Sequence, residues 1–424
     1  MNSVEKLLQT LCPHGVEFRK LGEVGEYIRG VTYRKSQEIN GQGCGIKVLR
    51  ANNITLSNHL NFEDIKTIDK SVKIRKEQYL KKNDILICAG SGSSEHIGKV
   101  AFIDANSDYV FGGFMGVIRI RELNSRFVYH VFTSNIFKQY LEKSLNTTTI
   151  NNLNANVLQN FKIPLPPLEV QREIVKILDT FTELNTELNT ELKLRKKQYE
   201  YYRNWLLSFS DVDASKEGAE QRLRDKSYPK ALKALLLSLC PHGVEFRKLG
   251  EVGEFQNGRV MSKKNAVPGE VPVIAGGRQP AYYHNHANRI GETIAISSSG
   301  AYAGYVSYWN IPVFLSDSFS ISPKKENLIP KYLFYWLQVK QDAIYATKST
   351  GGIPHVYSKN LDNLPIPLPP LEVQREIVKI LDDFSTLTED LSSGIPAEIA
   401  ARKKQYEYYR DKLLTFTPLI KEGE

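Results

Sequence analysis

Between Leu168 and about Leu207 the chain carries neither glycine nor proline. It sets Ile174, Ile177, Phe181, Leu184, Leu188, Leu192, Tyr199, Tyr202 and Leu206 at steps of mostly three and four. That spacing places them on one stripe of a helix and predicts a long amphipathic rod with a coiled-coil-like seam. Pro164, Pro166 and Pro167 end the extended segment before it and set its start. Roughly forty residues at 1.5 Å rise span about 60 Å, more than a small domain needs, so the stripe requires a partner. Leu371 to about Leu414 supplies one, and two long helices packed along each other are predicted. Ser392, Ser393, Gly394, Ile395 and Pro396 interrupt the second, which is expected to kink or restart there.

Elsewhere short β-rich runs alternate with turns: Ile46–Leu49, Ile85–Cys88, Val117–Ile120, Val271–Ala275, Thr293–Ile296 and Val313–Leu315. Helices are predicted near Arg126–Leu145 and Pro330–Tyr345, closing each of two globular α+β domains.

Three blocks occur twice. Leu11–Glu26 (LCPHGVEFRKLGEVGE) returns at Leu239–Glu254, Ile163–Asp179 (IPLPPLEVQREIVKILD) at Ile366–Asp382, and Arg195–Arg203 (RKKQYEYYR) at Arg402–Arg410. The unit is therefore a long module used twice, which excludes small solenoid repeats. The inserts between the blocks share little, so one frame carries two different readers. The expected division is a first domain over 1–163, a first long helix over 164–210 and a linker over 211–230. A second domain over 231–366 and a second long helix over 367–417 complete it. A tetrapeptide written three times, TELN TELN TELK from Thr182 to Lys193, lengthens the first rod. Each copy adds about 6 Å and turns everything beyond it by some 40°, like an adjustable spacer.

At 424 residues, with 41% hydrophobic and 24% charged residues, the composition is that of a soluble globular protein with two domains. No apolar run approaches the length of a membrane span and Met1–Leu11 lacks a signal-peptide core, so a cytoplasmic location is expected. Cys12, Cys44, Cys88 and Cys240 form no CxxC pair and read as reduced thiols. A net charge of +9 fits a polyanion partner.

No catalytic constellation is complete. Gly92–Lys99 resembles a phosphate loop, but its glycines are one residue too far apart and Val100 replaces the magnesium-binding hydroxyl. Gly90, Gly92 and Glu95 miss a dinucleotide fingerprint. PLPPL lacks the Asn or Asp that opens an amino-methyltransferase signature. His284 and His286 have no third ligand, so no metal is assigned. The chain reads as non-catalytic.

Nucleic-acid contact groups, by contrast, recur at matching places in the inserts. The first carries Arg29, Tyr33, Arg34 and Lys35, then Arg50, Asn52 and Asn53, then Ser91, Ser93 and Ser94. The second carries Asn257, Arg259, Lys263 and Lys264, then Arg278, then Tyr282, Tyr283, Asn285, Ser298, Ser299 and Tyr302. Arg and Asn read base edges, while Ser, Lys and glycine-turn amides hold phosphates. Arg195, Lys196, Lys197, Tyr199 and Tyr202 match Arg402, Lys403, Lys404, Tyr406 and Tyr409, and such identity is better explained by one partner docking twice than by DNA contact.

The two inserts, the IPLPPLEVQREIVKILD and RKKQYEYYR blocks, the TELN run and GIPAEI at Gly394–Ile399 together resemble the specificity subunit of a type I restriction-modification system over essentially the whole chain. The resemblance implies two target-recognition domains with pseudo-two-fold symmetry across an antiparallel helix pair, each reading half of a split, asymmetric double-stranded DNA site. It also implies two modification (methyltransferase) subunits on the repeated helical regions, and restriction subunits that cut DNA. S-adenosylmethionine, ATP and Mg2+ then belong to those partners. The chain itself needs no cofactor.

Overall fold

Both copies of the LCPHGVEFRKLGEVGE block fold alike. Glu17–Lys20 pairs antiparallel with Lys162–Leu165, and Glu245–Lys248 pairs with Pro365–Leu368 in the same register, Phe18 opposite Pro164 and Phe246 opposite Pro367. Proline lacks an N–H for the ladder, and a two-stranded ribbon tolerates it because neither strand is central. Each ribbon feeds a proline-bounded helix start at Leu168 and Leu371.

The computed structural model describes residues 3–39, 45–91, 94–145, 153–209, 215–225, 228–324, 326–349 and 352–419. They belong to two units: unit 1 is Met1–Asn189 with Glu398–Glu424, and unit 2 is Thr190–Ala397. Each therefore combines one insert with the beginning of one long helix and the end of the other.

In unit 1 an antiparallel sheet runs in the order Gly25–Arg29, Met115–Ile120, Ile85–Cys88, Val100–Phe102. A second sheet runs Glu38–Ile39, Lys66–Ile68, Ile46–Leu49, Val110–Phe111, its last pair parallel. Unit 2 repeats the plan with Gly253–Asn257, Ser318–Pro323, Thr293–Ser297 and Val306–Trp309, and with Tyr282–His284, Val271–Ile274 and Phe314–Leu315, again parallel at the last pair. The topology is shared, apart from the Glu38–Ile39 edge strand, although the sequences have diverged. Each predicted strand run overlaps a strand, with Ala275 falling just past Val271–Ile274 and Val313 just before Phe314–Leu315.

The predicted insert helices are each split in two. Ser125–Thr133 and Asn135–Leu145 are separated at Ser134, whose Oγ donates to the Val131 carbonyl at 2.7 Å. Pro330–Val339 and Gln341–Ala346 are separated at Lys340.

The long helix forms as expected over Leu168–Leu207. Its counterpart is two helices, Leu371–Glu389 and Ile395–Leu414. The restart has a local cause. Asp390 accepts from Ser392 N at 2.7 Å and Ser392 Oγ at 2.6 Å, ending the first helix, and a side chain at Gly394 would lie 2.4 Å from the Thr386 carbonyl. The segment expected as a linker contains a helix at Lys216–Asp225, and residues 210–214 and 226–227 lie outside the described ones.

Identical helix positions complete both cores. Val170, Ile174 and Leu178 are buried against Ile85, Ile118, Phe127 and Val131 in unit 1. Val373, Ile377 and Leu381 join Ile294, Ile321, Tyr332 and Trp336 in unit 2. Burying each such side chain contributes about 1.5–3 kcal/mol, so the frame and insert of a unit fold as one core. Between Thr182 and Lys193 the first helix has no buried residue. In unit 1, Phe181 packs on Tyr406 and Tyr409, and farther along Lys412 meets Glu5 while Ser3 bonds Glu173, so the two helical segments run antiparallel. No described helix is long and apolar enough to cross a membrane. Cys12, Cys88 and Cys240 form no disulfide among the described residues, and Cys44 lies outside them.

Candidate nucleic-acid interface

Six of the residues singled out in the first insert converge on a cleft of about 870 Å3: Arg29, Tyr33, Lys35, Arg50, Asn52 and Ser91. They come from the ends of three strands. The close approach that brings them together needs glycine at position 30, where a Cβ would lie 2.1 Å from the Gly112 carbonyl oxygen. Arg34 is exposed beside the cleft, its N–H donating to Gln37 Oε1 at 2.8 Å. Ser93 lies outside the described residues, and Ser94 starts a short 3-10 turn at Ser94–His96.

Asp64, not anticipated from the sequence, orients two of these cleft side chains. Its Oδ2 accepts from Arg50 Nη2 at 2.7 Å and Asn52 Nδ2 at 2.8 Å, and the Arg50 guanidinium holds its carboxyl below the usual range. Asn53 is not a reader. It is buried, accepts from Arg50 N at 2.8 Å and donates to the Asn61 carbonyl at 2.9 Å, stapling the loop from inside. Lys99, the lysine of the incomplete phosphate loop, is also structural, since its buried Nζ donates to the carbonyls of Ala51 and Ile54. Phe114, again unforeseen, lines the same cleft and is 71% exposed.

In the second insert Asn257, Arg259, Lys263, Lys264, Arg278, Tyr283, Asn285 and Tyr302 are all exposed. The Arg278 guanidinium stands 5.0 Å from the Tyr302 ring centroid and 5.6 Å from that of Tyr305, which presents a preorganised cation held by two aromatic rings. Ser298 donates its N–H to the Asp317 carbonyl at 3.1 Å, and Ser299 Oγ donates to the Asp317 carboxylate. Tyr282 is tied down instead of free: its hydroxyl donates to the Met261 carbonyl at 2.6 Å and fixes the loop bearing Arg259, Lys263 and Lys264. His284 is buried, with Nδ1 accepting from Val267 N at 3.1 Å, which is a packing role. Among the described residues no His, Cys, Asp and Glu group is placed to hold a metal.

The helical blocks sort by face. Lys196, Lys197, Lys403 and Lys404 are exposed, while Arg195 and Arg402 are half-buried and bonded along their own helices to Glu191 at 3.4 Å and Glu398 at 3.6 Å. Tyr199, Tyr202, Tyr406 and Tyr409 correct the sequence reading, because they face the protein. Tyr202 stacks on Phe384 and Tyr409 on Phe181, and Tyr199 is buried with its hydroxyl pushed up to about 12 by that burial. Tyr201 and Tyr408, each 63% exposed, are the outward members of the block.

The two inserts grip identical frame positions with different groups. Asp179 Oδ1 accepts from His130 Nε2 and Arg126 Nε, both at 2.9 Å, while its counterpart Asp382 accepts from Tyr335 Oη at 2.5 Å and Lys331 Nζ at 2.6 Å. Burial pushes the His130 imidazole down, partly offset by Asp179. Gln171 and Gln374 repeat another clamp, each donating 2.7 Å to a proline carbonyl and accepting from an insert N–H at 2.9 Å.

Two frames of the same build, each presenting a different set of cations, amides and hydroxyls at its strand ends, define a protein of paired and unlike recognition modules. The chain belongs to the type I restriction modification DNA specificity domain family, whose model matches residues 13–195 and 241–401. It is 33% identical over 285 residues to the type I restriction enzyme EcoR124I/EcoR124II specificity subunit of Escherichia coli, covering 60% of this chain and 63% of that protein. It is 32% identical over 308 residues to the putative type I restriction enzyme specificity subunit S.HindORF215P of Haemophilus influenzae, covering 70% and 73%. The fold matches the type I restriction-modification S subunit of M. genitalium, with TM-score 0.55 and 18% identity over 94% of this chain and 96% of that one. A chain from a type I R-M system, solved in a study of complex assembly and conformational transition, matches with TM-score 0.59 and 19% identity over 94% and 97%.

Proposed function

We propose that this chain is the DNA sequence-specificity subunit of a type I restriction-modification complex. Each unit reads one half of a bipartite site. The carrying observation is that one sheet plan, anchored at identical frame carboxylates by different insert groups, presents two dissimilar loop sets, so the halves differ and the site is asymmetric. Identical readers on a two-fold would give a palindrome.

The chain contributes no chemistry of its own. Methyl donor, ATP and Mg2+ are handled by modification and restriction subunits. The exposed Lys196, Lys197, Tyr201, Lys403, Lys404 and Tyr408 present the same surface twice, once per modification subunit. An electrophoretic shift with the chain and its modification partner tests the reading. A duplex carrying the methylated motif should bind at least 1,000-fold more tightly than random duplex at physiological salt, the low end for specific binders. Equal shifts for both duplexes would instead identify a helical scaffold with no sequence-reading role. Cleavage or methylation by the purified chain alone would make it an enzyme.

A further inference from the structure

Single exposed apolar residues are ordinary on protein surfaces, so exposure of Phe114 alone carries nothing. Its setting does. The Phe114 carbonyl accepts from both Ala89 N and Gly90 N at 2.9 Å, so the backbone is fixed while the ring stands in solvent. The ring lines the cleft shared with Arg29, Lys35, Arg50 and Asn52. At 71% exposure, the ring is an apolar group held by a fixed backbone among cations and amides.

Unit 2 has a residue at the same place. Phe114 follows the short parallel strand Val110–Phe111 and precedes Met115–Ile120; Asp317 follows Phe314–Leu315 and precedes Ser318–Pro323. Each gives its carbonyl to the backbone at the end of the neighbouring strand, Phe114 to Ala89 N at 2.9 Å and Asp317 to Ser298 N at 3.1 Å. One topological position thus carries an apolar ring in one reader and a half-buried carboxylate, oriented by Ser299, in the other.

We propose that this position is a specificity-determining site in both readers: Phe114 packs on the 5-methyl group of a thymine, and Asp317 accepts from the N4 amino group of a cytosine. The chemistry follows from what the major groove displays, since the thymine methyl is its one apolar feature and N4 the cytosine donor. An ionised carboxylate has lone pairs for a base amine beyond the one Ser299 occupies. The assignment rests on the reading of the chain as a DNA specificity subunit.

The test uses the chain with its modification partner on duplexes bearing the motif mapped from methylated DNA. Each thymine of the first half-site is replaced in turn by deoxyuridine, which removes only the methyl group. Binding should fall about four-fold at one thymine, the worth of one buried methyl. That loss should vanish in F114A and persist in F114L. D317N should relax selection at one cytosine of the second half-site and leave the first untouched. The proposal is overturned by a first half-site without thymine, by the absence of any methyl-sensitive position, by sensitivity that persists in F114A, or by unchanged selection in D317N. Failure of the wild-type complex to prefer the motif at all would instead remove the specificity reading beneath it.

Discussion

His130 Nε2 meets Asp179 Oδ1 at 2.9 Å inside unit 1, where unit 2 sets the phenol of Tyr335 against Asp382. The carboxylate comes from the repeated block and its partner from the insert, so the contact joins reader to frame. Only the first of the two junctions contains an imidazole, the side chain whose ordinary pKa lies near neutrality.

This difference has a pH consequence. His130 is buried and faces Asp179, Arg126, Tyr406 Oη at 3.4 Å and the charge of Arg410, and burial holds its folded imidazole below the ordinary value of about 6.5. The unfolded chain therefore binds a proton that the folded one resists, and stability is lost as pH falls below about 6.5. Thermal unfolding of wild type and H130Q at pH 7.5 and pH 5 checks this. The wild-type midpoint should drop further, by roughly 2–4 °C for each kcal/mol of linkage in a unit of this size. Equal drops would place the titrating group elsewhere.

The aromatic contacts between helical segments repeat as closely as the clamps. Phe181 stacks on Tyr409 at 5.6 Å and 22°, and Phe384 on Tyr202 at 5.4 Å and 27°. F181A and F384A should each cost about 1–3 kcal/mol, less than a fully buried phenylalanine because both rings are half-buried. A double-mutant cycle of Phe181 with Tyr409 should give a coupling of about 0.5–1.5 kcal/mol. A coupling of zero would mean the rings only fill space.

Asp64 gives a test confined to one reader. D64A frees Arg50 and Asn52 from their shared acceptor. Base selection should relax in the first half-site, with little change in thermal midpoint because the carboxylate is exposed. Sequence preference of D64A measured on a randomised duplex pool checks it. Relaxation in the second half-site would contradict the assignment of Arg50 and Asn52.

Much of this was legible locally. The three-and-four spacing marked Leu168–Leu207, the proline-glycine cluster marked the restart before Ile395, and the repeated blocks marked the frame. Tyr199 and Tyr202 lie on that same apolar stripe, so the period itself dictates their inward orientation, while Lys196 and Lys197 beside them are exposed. What the sequence hid is non-local. Asp64 reaches Arg50 across a turn, Asn53 is turned inward by that same turn, and Phe114 and Asp317 become equivalent only through the matching parallel-strand connections. The insert helices split at Ser134 and Lys340, which carry no glycine or proline to announce it.

The TELN run offers a test of the rod. Deleting one tetrapeptide from the Thr182–Lys193 stretch, which has no buried residue, removes about 6 Å of helix and about 40° of net turn. Methylation mapping should show both half-site sequences kept and the gap between them shortened by about one to two base pairs. An altered half-site would contradict a spacer role.

The central claim is that two independent readers sit on one shared frame. Exchanging the second insert for that of another family member, then mapping methylated adenines in cells that also carry the modification partner, tests it most directly. One half of the bipartite motif should change while the other half and its methylated base stay as they were. A change in both halves would contradict the account.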